Sequence, residues 1–189
     1  MGKELPASQY TGKGYLKKRM FERYTPLYLN VASLLPPPKS CPTIIDLGCG
    51  VGYFAKILYG LGYLDYIGLD FSEDILNLAK KHMPHYSYIK ANLYSKKARI
   101  IISNNSLFTM IETLEHISED VDVIKSMPKQ STIIGSVPSS QSAGHVRVFS
   151  GPSAVVARYE KIIDFNFVKK IHLRPKAKST ITIFRGTIK

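Results

Sequence analysis

Cysteine is scarce in this 189-residue chain, which holds only two, Cys41 and Cys49. Two thiols are too few for a disulfide framework or a four-cysteine zinc site. No apolar run approaches the roughly 18 residues that a membrane span needs. The N-terminus is polar and lacks the apolar core of a secretory leader. These absences lead to the expectation of a soluble, cytoplasmic protein without a membrane span. Carboxylates are missing from two long stretches, 75–111 and 165–189, and the whole chain has 26 Lys and Arg against 14 Asp and Glu. A net charge of +12 attracts polyanions such as RNA, DNA, acidic lipid or phosphorylated metabolites. The competing reading is a solvated basic face that keeps the protein dispersed, because lysines dominate and no aromatic–arginine stacking accompanies them. With 44% hydrophobic and 21% charged residues the chain is not a disordered tail. The length suits a single domain over 1–189, with residues 1–40 as an N-terminal arm and helices that can serve as a lid.

Apolar residues at helical spacing run from Tyr15 to Leu35, with Pro26 expected to kink or split the helix. Pro36-Pro37-Pro38 ends it. Thr43–Leu47 reads as a buried strand, Gly48–Gly52 as a tight turn, and Val51–Tyr59 as a helix stopped by Gly60 and Gly62. A second strand spans Tyr66–Asp70. The next helix opens on Ser72, Glu73 and Asp74 and closes on Lys80, Lys81 and His82, charges that complement its dipole. Further strands are expected at Tyr86–Ile89, Leu107–Ile111 and Thr132–Val137, and helices at Ser118–Lys125 and Pro152–Tyr159. Ile162–Leu173 and Thr180–Ile188 read as a hairpin around an Arg-Pro-Lys turn. Alternating strands and helices predict an α/β fold, a doubly wound, mostly parallel sheet. The hairpin is expected to add an antiparallel strand at its edge. Ligands of such sheets sit beyond the carboxyl ends of the strands, which aligns Asp46, Asp70, Asn92, Glu112 and Pro138 along one rim.

The segment Ile44-Ile-Asp46-Leu-Gly48-Cys49-Gly50-Val-Gly52 carries the most information. A strand enters a glycine turn and leaves as a helix, and glycine belongs where the backbone takes positive φ or lies against a ligand. Asp70 follows Gly50 by 20 residues, at the end of the second strand. A carboxylate there can accept from both hydroxyls of a ribose, so the pair predicts a nucleoside-bearing cofactor. Gly50-x-Gly52-x-x-Ala55 also fits a loose dinucleotide fingerprint. Against a dinucleotide, Asp46 would face a pyrophosphate badly and an ammonium well, and little chain remains for a separate catalytic domain.

Asp46-Leu-Gly-Cys-Gly-Val-Gly52 resembles the first motif of class I S-adenosylmethionine-dependent methyltransferases. Tyr66-Ile-Gly-Leu-Asp70-Phe71-Ser72 is similar to their second strand with its ribose-binding acid. Tyr88-Ile-Lys-Ala-Asn92-Leu93 resembles the third, although many members carry Asp where Asn92 stands. Phe108-Thr-Met-Ile-Glu112-Thr-Leu-Glu115-His116-Ile117 resembles the fourth-strand signature, and Ile133-Ile-Gly-Ser-Val-Pro138 the fifth strand. The resemblance covers roughly residues 40–150. It implies a Rossmann-like, seven-stranded sheet and S-adenosyl-L-methionine as cofactor. Asp46, Gly48, Cys49, Gly50 and Gly52 would surround the methionine end, and Asp70 the ribose. Phe71, Asn92 and Leu93 would frame the adenine, with Glu112 nearby. Cys49 is read as a small packing residue.

The resemblance leaves the acceptor open. Transfer to an oxygen, less readily a nitrogen, of a small molecule is expected; RNA is the alternative, and a non-catalytic binding module a further one. Glu112 and Glu115 are three residues apart and His116 four from Glu112, while His145 lies in the loop after the fifth strand. Two carboxylates and two imidazoles suit Mg²⁺ or Mn²⁺, and Zn²⁺ as well. The pattern resembles the metal-dependent quinone-biosynthesis O-methyltransferases and the enzymes that methylate the 3′-terminal 2′-hydroxyl of small RNAs. Alternatively His145 or His116 acts as a base without metal, or these residues only shape the wall. Arg147 can bind an acidic acceptor or be a surface arginine. Tyr10, Tyr15, Tyr24 and Tyr28 can form a lid, and at helical spacing Tyr24 and Tyr28 suit a core.

Overall fold

The computed structural model describes residues 3–9, 18–174 and 179–189. Expectations at Tyr10, Tyr15 and the end of the Arg-Pro-Lys turn lie outside these residues. Among the described residues seven strands form one sheet: β1 Ile44–Leu47, β2 Tyr66–Asp70, β3 Ser87–Lys90, β4 Leu107–Ile111, β5 Thr132–Pro138, β6 Ile163–Ile171 and β7 Ile181–Ile188. The helices are α1 Lys18–Ala32, α2 Tyr53–Gly60, α3 Glu73–His82, α4 Lys96–Ser103, α5 Asp120–Lys125 and α6 Pro152–Tyr159. The sheet order is β3-β2-β1-β4-β5-β7-β6, with β1 to β5 parallel. This is the α/β, mostly parallel sheet that the alternation of elements predicts, and the seven-stranded, Rossmann-like one that the resemblance implies.

The central strands are apolar on both faces because both are covered: every residue of β1 and of β4 is buried. One core packs Ile45, Leu47, Phe108, Met110, Ile133 and Phe184 together. The other packs Ile44, Phe54, Leu58, Leu107, Ile134 and Ile183 under α1 and α2. Chain order reverses between β1 and β4, so a crevice opens above their carboxyl ends.

Three points refine the expectations. The hairpin does join the sheet at its edge, beyond β5, and it adds both of its strands: β7 lies between β5 and β6, antiparallel to both, and β6 is the outermost strand. Burial explains the order, since Ile181–Phe184 are buried while Asp164, Lys169 and Lys170 need solvent. Pro26 stands inside α1 without ending it. Beside it, Thr25 Oγ1 donates to Phe21 O at 2.8 Å and Asn30 Nδ2 to Pro26 O at 2.8 Å. The helix α4 was not anticipated. Its opening Lys96-Lys97 opposes the helix dipole and its three consecutive isoleucines read as strand. Ser95 nevertheless caps it, accepting from Ala98 N at 3.2 Å, while Ala98 and Ile102 are buried.

Candidate functional site

The glycine turn is tied to the second strand before it meets any ligand. The N–H groups of Gly48 and Cys49 both donate to Leu69 O, at 2.8 and 2.9 Å. Gly48 takes φ +86°, and a Cβ there would lie 2.5 Å from Thr113 Oγ1, so only glycine lets β1 pass beneath Thr113. Gly50 differs: at φ +55° a Cβ would meet nothing within 4 Å, because its open side faces the crevice. The Gly50 N–H donates to Asp70 Oδ2 at 3.2 Å and the Ser72 N–H to Asp70 Oδ1 at 3.0 Å. Two residues that sequence places 20 apart are therefore one unit. Burial nonetheless raises the Asp70 carboxyl above its ordinary range, against the pull of these backbone donors.

Asp46 is 1% exposed, and its oxygens accept from Tyr66 Oη and Thr109 Oγ1, each at 2.7 Å. Burial lifts its carboxyl to about 6 despite the two hydroxyls. A carboxylate has four lone-pair directions, so each oxygen keeps one for a further donor. Cys49 is buried beside Gly68, where an added Cβ would lie 2.8 Å from its Sγ. Burial pushes that thiol well up, which makes it a packing residue rather than a nucleophile. Asn92 turns its Oδ1 to the Tyr94 N–H at 2.9 Å. Gly48, Gly50, Asp46, Asp70, Phe71, Asn92 and Leu93 all line one crevice of about 610 Å³, a size suited to a nucleoside cofactor. Gly52 begins α2 with φ +79°, just behind them.

The opposite wall follows β4. Glu112 takes φ +54°, a conformation uncommon for a residue with Cβ. It is held there by Ser136: the Glu112 N–H reaches Ser136 O at 3.1 Å, and Ser136 Oγ donates to Glu112 Oε1 at 3.0 Å. Burial raises the Glu112 carboxyl, while Ser136 and the charge of Arg23 pull it down. The next turn, Leu114–His116, buries Glu115 to 1% exposure, and among the described residues its Oε2 has no hydrogen-bond partner. Burial and the Glu112 charge raise this carboxyl strongly.

Two imidazoles face Glu115. His116 Nδ1 donates to Gly144 O at 3.0 Å and His145 Nδ1 to Ser140 O at 3.1 Å. A carbonyl partner requires the proton on Nδ1, which puts each lone pair on Nε2. The rings meet edge to face with centroids 4.7 Å apart. Burial lowers both imidazoles, favouring the neutral form. One ligating atom from each of Glu115, His116 and His145 falls within 4.8 Å of the others. Three of the four expected metal ligands are thus gathered, whereas Glu112 stays bonded to Ser136 outside that trio.

Arg147 is neither a surface arginine nor an acceptor clamp. Its guanidinium donates to Leu114 O at 2.6 Å, to Ile117 O and to Ser118 O at 2.9 Å, and it lies 3.2 Å from Asp120 Oδ2. It staples the turn that carries Glu115 and His116. Asp120 in turn binds Arg158 at 2.6 and 2.7 Å and Tyr159 Oη at 2.5 Å. Sequence gave no signal for this support, nor for Thr109, Ser136 or Arg23, because their partners are distant in the chain. Tyr24 and Tyr28 line the crevice while packing toward Phe54. Glu4 and Leu5 complete the mouth, with Glu4 accepting from Tyr94 Oη and the Ser118 N–H.

Residues 44–129 match the family model described as a methyltransferase domain. No curated protein matches the sequence. Many solved structures are similar, among them the following three. One is from a complex of the Haloferax volcanii Trm112 methyltransferase activator with a methyltransferase, at 12% identity and TM-score 0.73, covering 97% of this chain and 98% of that one. Another is the N-methyltransferase NodS of Bradyrhizobium japonicum WM9 with S-adenosyl-L-homocysteine, at 15% identity and TM-score 0.64, covering 92% and 89%. A third is the methyltransferase domain of bacterial CtHen1-C, at 19% identity and TM-score 0.60, covering 87% and 96%. At such identities the likeness is one of fold. Among the described residues no helix is long and apolar enough to cross a membrane.

Proposed function

We propose that this chain is a class I S-adenosylmethionine-dependent methyltransferase that transfers the donor's methyl group to a hydroxyl oxygen of a small acceptor, a reading supported by the methyltransferase-domain match over residues 44–129 and by the likeness of fold. The observation that carries the reading is the Gly50–Asp70 unit facing the Glu115, His116 and His145 trio across one crevice. In this reading Asp70 keeps its backbone donors, one on each oxygen, and accepts from the ribose hydroxyls with the lone pair each oxygen has left. Phe71, Asn92 and Leu93 border the adenine, and Gly48 to Gly52 leave room for the methionine end above Asp46. The sulfonium is a good leaving group, so the chain's task is alignment and exclusion of water. The S–CH₃ bond breaks, an O–CH₃ bond forms, S-adenosylhomocysteine departs, and the hydroxyl proton must go to a base.

The donor set fits a divalent cation. Glu115 brings a buried oxygen without a partner, and both imidazoles carry their lone pair on Nε2. Glu115, His116 and His145 would hold Mg²⁺ or Mn²⁺, with Glu112 beside them, and Arg147 keeps their turn in place. When bound, the cation supplies the positive charge that makes an acceptor hydroxyl easier to deprotonate. The net charge of +12 supports RNA as a second acceptor class.

Calorimetry tests the reading. S-adenosylhomocysteine should bind the wild type, and Mn²⁺ should bind the wild type but not Glu115→Gln or His145→Ala. Mn²⁺ binding unaffected by both substitutions removes the cation and leaves His145 as the base. No heat from millimolar S-adenosylhomocysteine refutes the enzyme and favours a binding module.

A further inference from the structure

A second cavity, of about 630 Å³, shares Arg23, Tyr24, Glu112, Pro138 and Ser140 with the crevice. Its remaining wall is Ser139, Leu173, Arg174 and residues 179–181. It therefore lies where β5 ends and β7 begins, on the same rim as the glycine turn but across Glu112 from it. Nothing in the methyl transfer so far requires it.

Its polar groups are mostly donors. Among the described residues neither Arg23 nor Arg174 has a hydrogen bond or a close ion pair, although the Arg23 charge acts on Glu112 at longer range, and Arg23 Nε is buried without a partner. The Arg23 guanidinium sits 5.5 Å from the centroid of the Tyr24 ring. Leaving such a group unmatched costs stability unless a ligand completes it. Ser139 Oγ accepts from Thr180 N at 2.8 Å and from Thr180 Oγ1 at 3.1 Å. A hydroxyl has two lone pairs and one proton. Both lone pairs of Ser139 are taken and, among the described residues, its proton has no acceptor. Glu112 is the one carboxyl of this wall, and it already accepts from Ser136.

We propose that this second cavity binds a phosphate group carried by the methyl acceptor, with Arg23 and Arg174 engaging its oxygens and Ser139 donating its proton to it. Guanidinium edges and a hydroxyl form the donor set that phosphate oxygens require. The inference rests on the first crevice being the donor site: a hydroxyl presented beside Glu112 leaves the remainder of its molecule on the Arg23–Arg174 side. The phosphate belongs either to a small phosphorylated metabolite or to a nucleic acid strand.

The test is a ³¹P NMR titration of inorganic phosphate into the full chain, with and without S-adenosylhomocysteine. Millimolar binding to the wild type is expected, weakened at least about fivefold in Arg174→Gln and in Arg23→Gln. Arg174 is exposed, so its substitution leaves the core intact, and Arg174→Lys should recover part of the affinity. Ribose 5-phosphate and a short single-stranded oligoribonucleotide then compete for the site, and whichever displaces phosphate identifies its source. Phosphate binding that ignores both arginines, or that neither competitor displaces, overturns the proposal. Failure of S-adenosylhomocysteine to bind, with arginine-dependent phosphate binding intact, overturns the donor reading alone.

Discussion

Replacing Asp46 with Asn should stabilise the protein at neutral pH. Asp46 is 1% exposed and among the described residues has no cationic partner, only the hydroxyls of Tyr66 and Thr109. Burial lifts its carboxyl from 3.8 to about 6. The folded state therefore holds this proton more tightly than the unfolded state does. Stability from this group is fully present below pH 3.8 and is lost as pH rises through 6. At about 1.4 kcal/mol per pH unit, the displacement amounts to about 3 kcal/mol at pH 7, as an upper bound. Asn matches the protonated acid in shape and hydrogen bonding, so it removes the ionisation penalty and little else. Urea denaturation of wild type and Asp46→Asn between pH 4.5 and 8 measures the difference. The variant's advantage should be small at pH 4.5 and grow to about 2–3 kcal/mol by pH 7. Comparing the pair cancels the raised carboxyls that both proteins share. A difference flat in pH, or a wild type more stable than the variant at pH 7, refutes the reasoning.

Asp70→Ala should weaken S-adenosylhomocysteine binding by about 10- to 100-fold in calorimetry, the worth of one or two charge-assisted hydrogen bonds. Gly48→Ala combines a left-handed backbone with a 2.5 Å approach to Thr113 Oγ1 and should cost about 3 kcal/mol in chemical denaturation. Asp120→Asn leaves Arg158 and Arg147 without their buried carboxylate and should cost about 3 kcal/mol. It should also reduce Mn²⁺ binding, because Arg147 braces the Glu115–His116 turn.

What was legible in the sequence is what local rules encode. Ile44–Leu47 has to be a buried parallel strand, Gly48 has to be glycine, and Ser72 with two acids has to begin a helix. The rim of Asp46, Asp70, Asn92, Glu112 and Pro138 follows from strand ends alone. What stayed hidden depends on contacts between distant residues. Arg147 reads equally as a ligand for an acidic acceptor or as a surface arginine, and only the fold brings it to the carbonyls of Leu114–Ser118. Glu112 reads as equivalent to Glu115 at helical spacing, yet Ser136, 24 residues on, draws it aside. The run Lys96–Ser103 has the propensity of a strand and the electrostatics of a poor helix, and burial of Ala98 and Ile102 outweighs both. The edge position of β6 hinges on comparing two strands whose charges differ, which a hairpin pattern by itself leaves undecided.

The insertion of β7 between β5 and β6 has a consequence for assembly. β6 leaves the ribosome before β7 but among the described residues pairs only with β7, and the outer side of β5 is also filled by β7. Until Ile181–Ile188 is synthesised, the nascent chain carries one strand with no neighbour and another with an open edge. Ser139, which Thr180 anchors, takes its position only when that late segment docks. The final strand thus closes the sheet and shapes the second cavity in a single event.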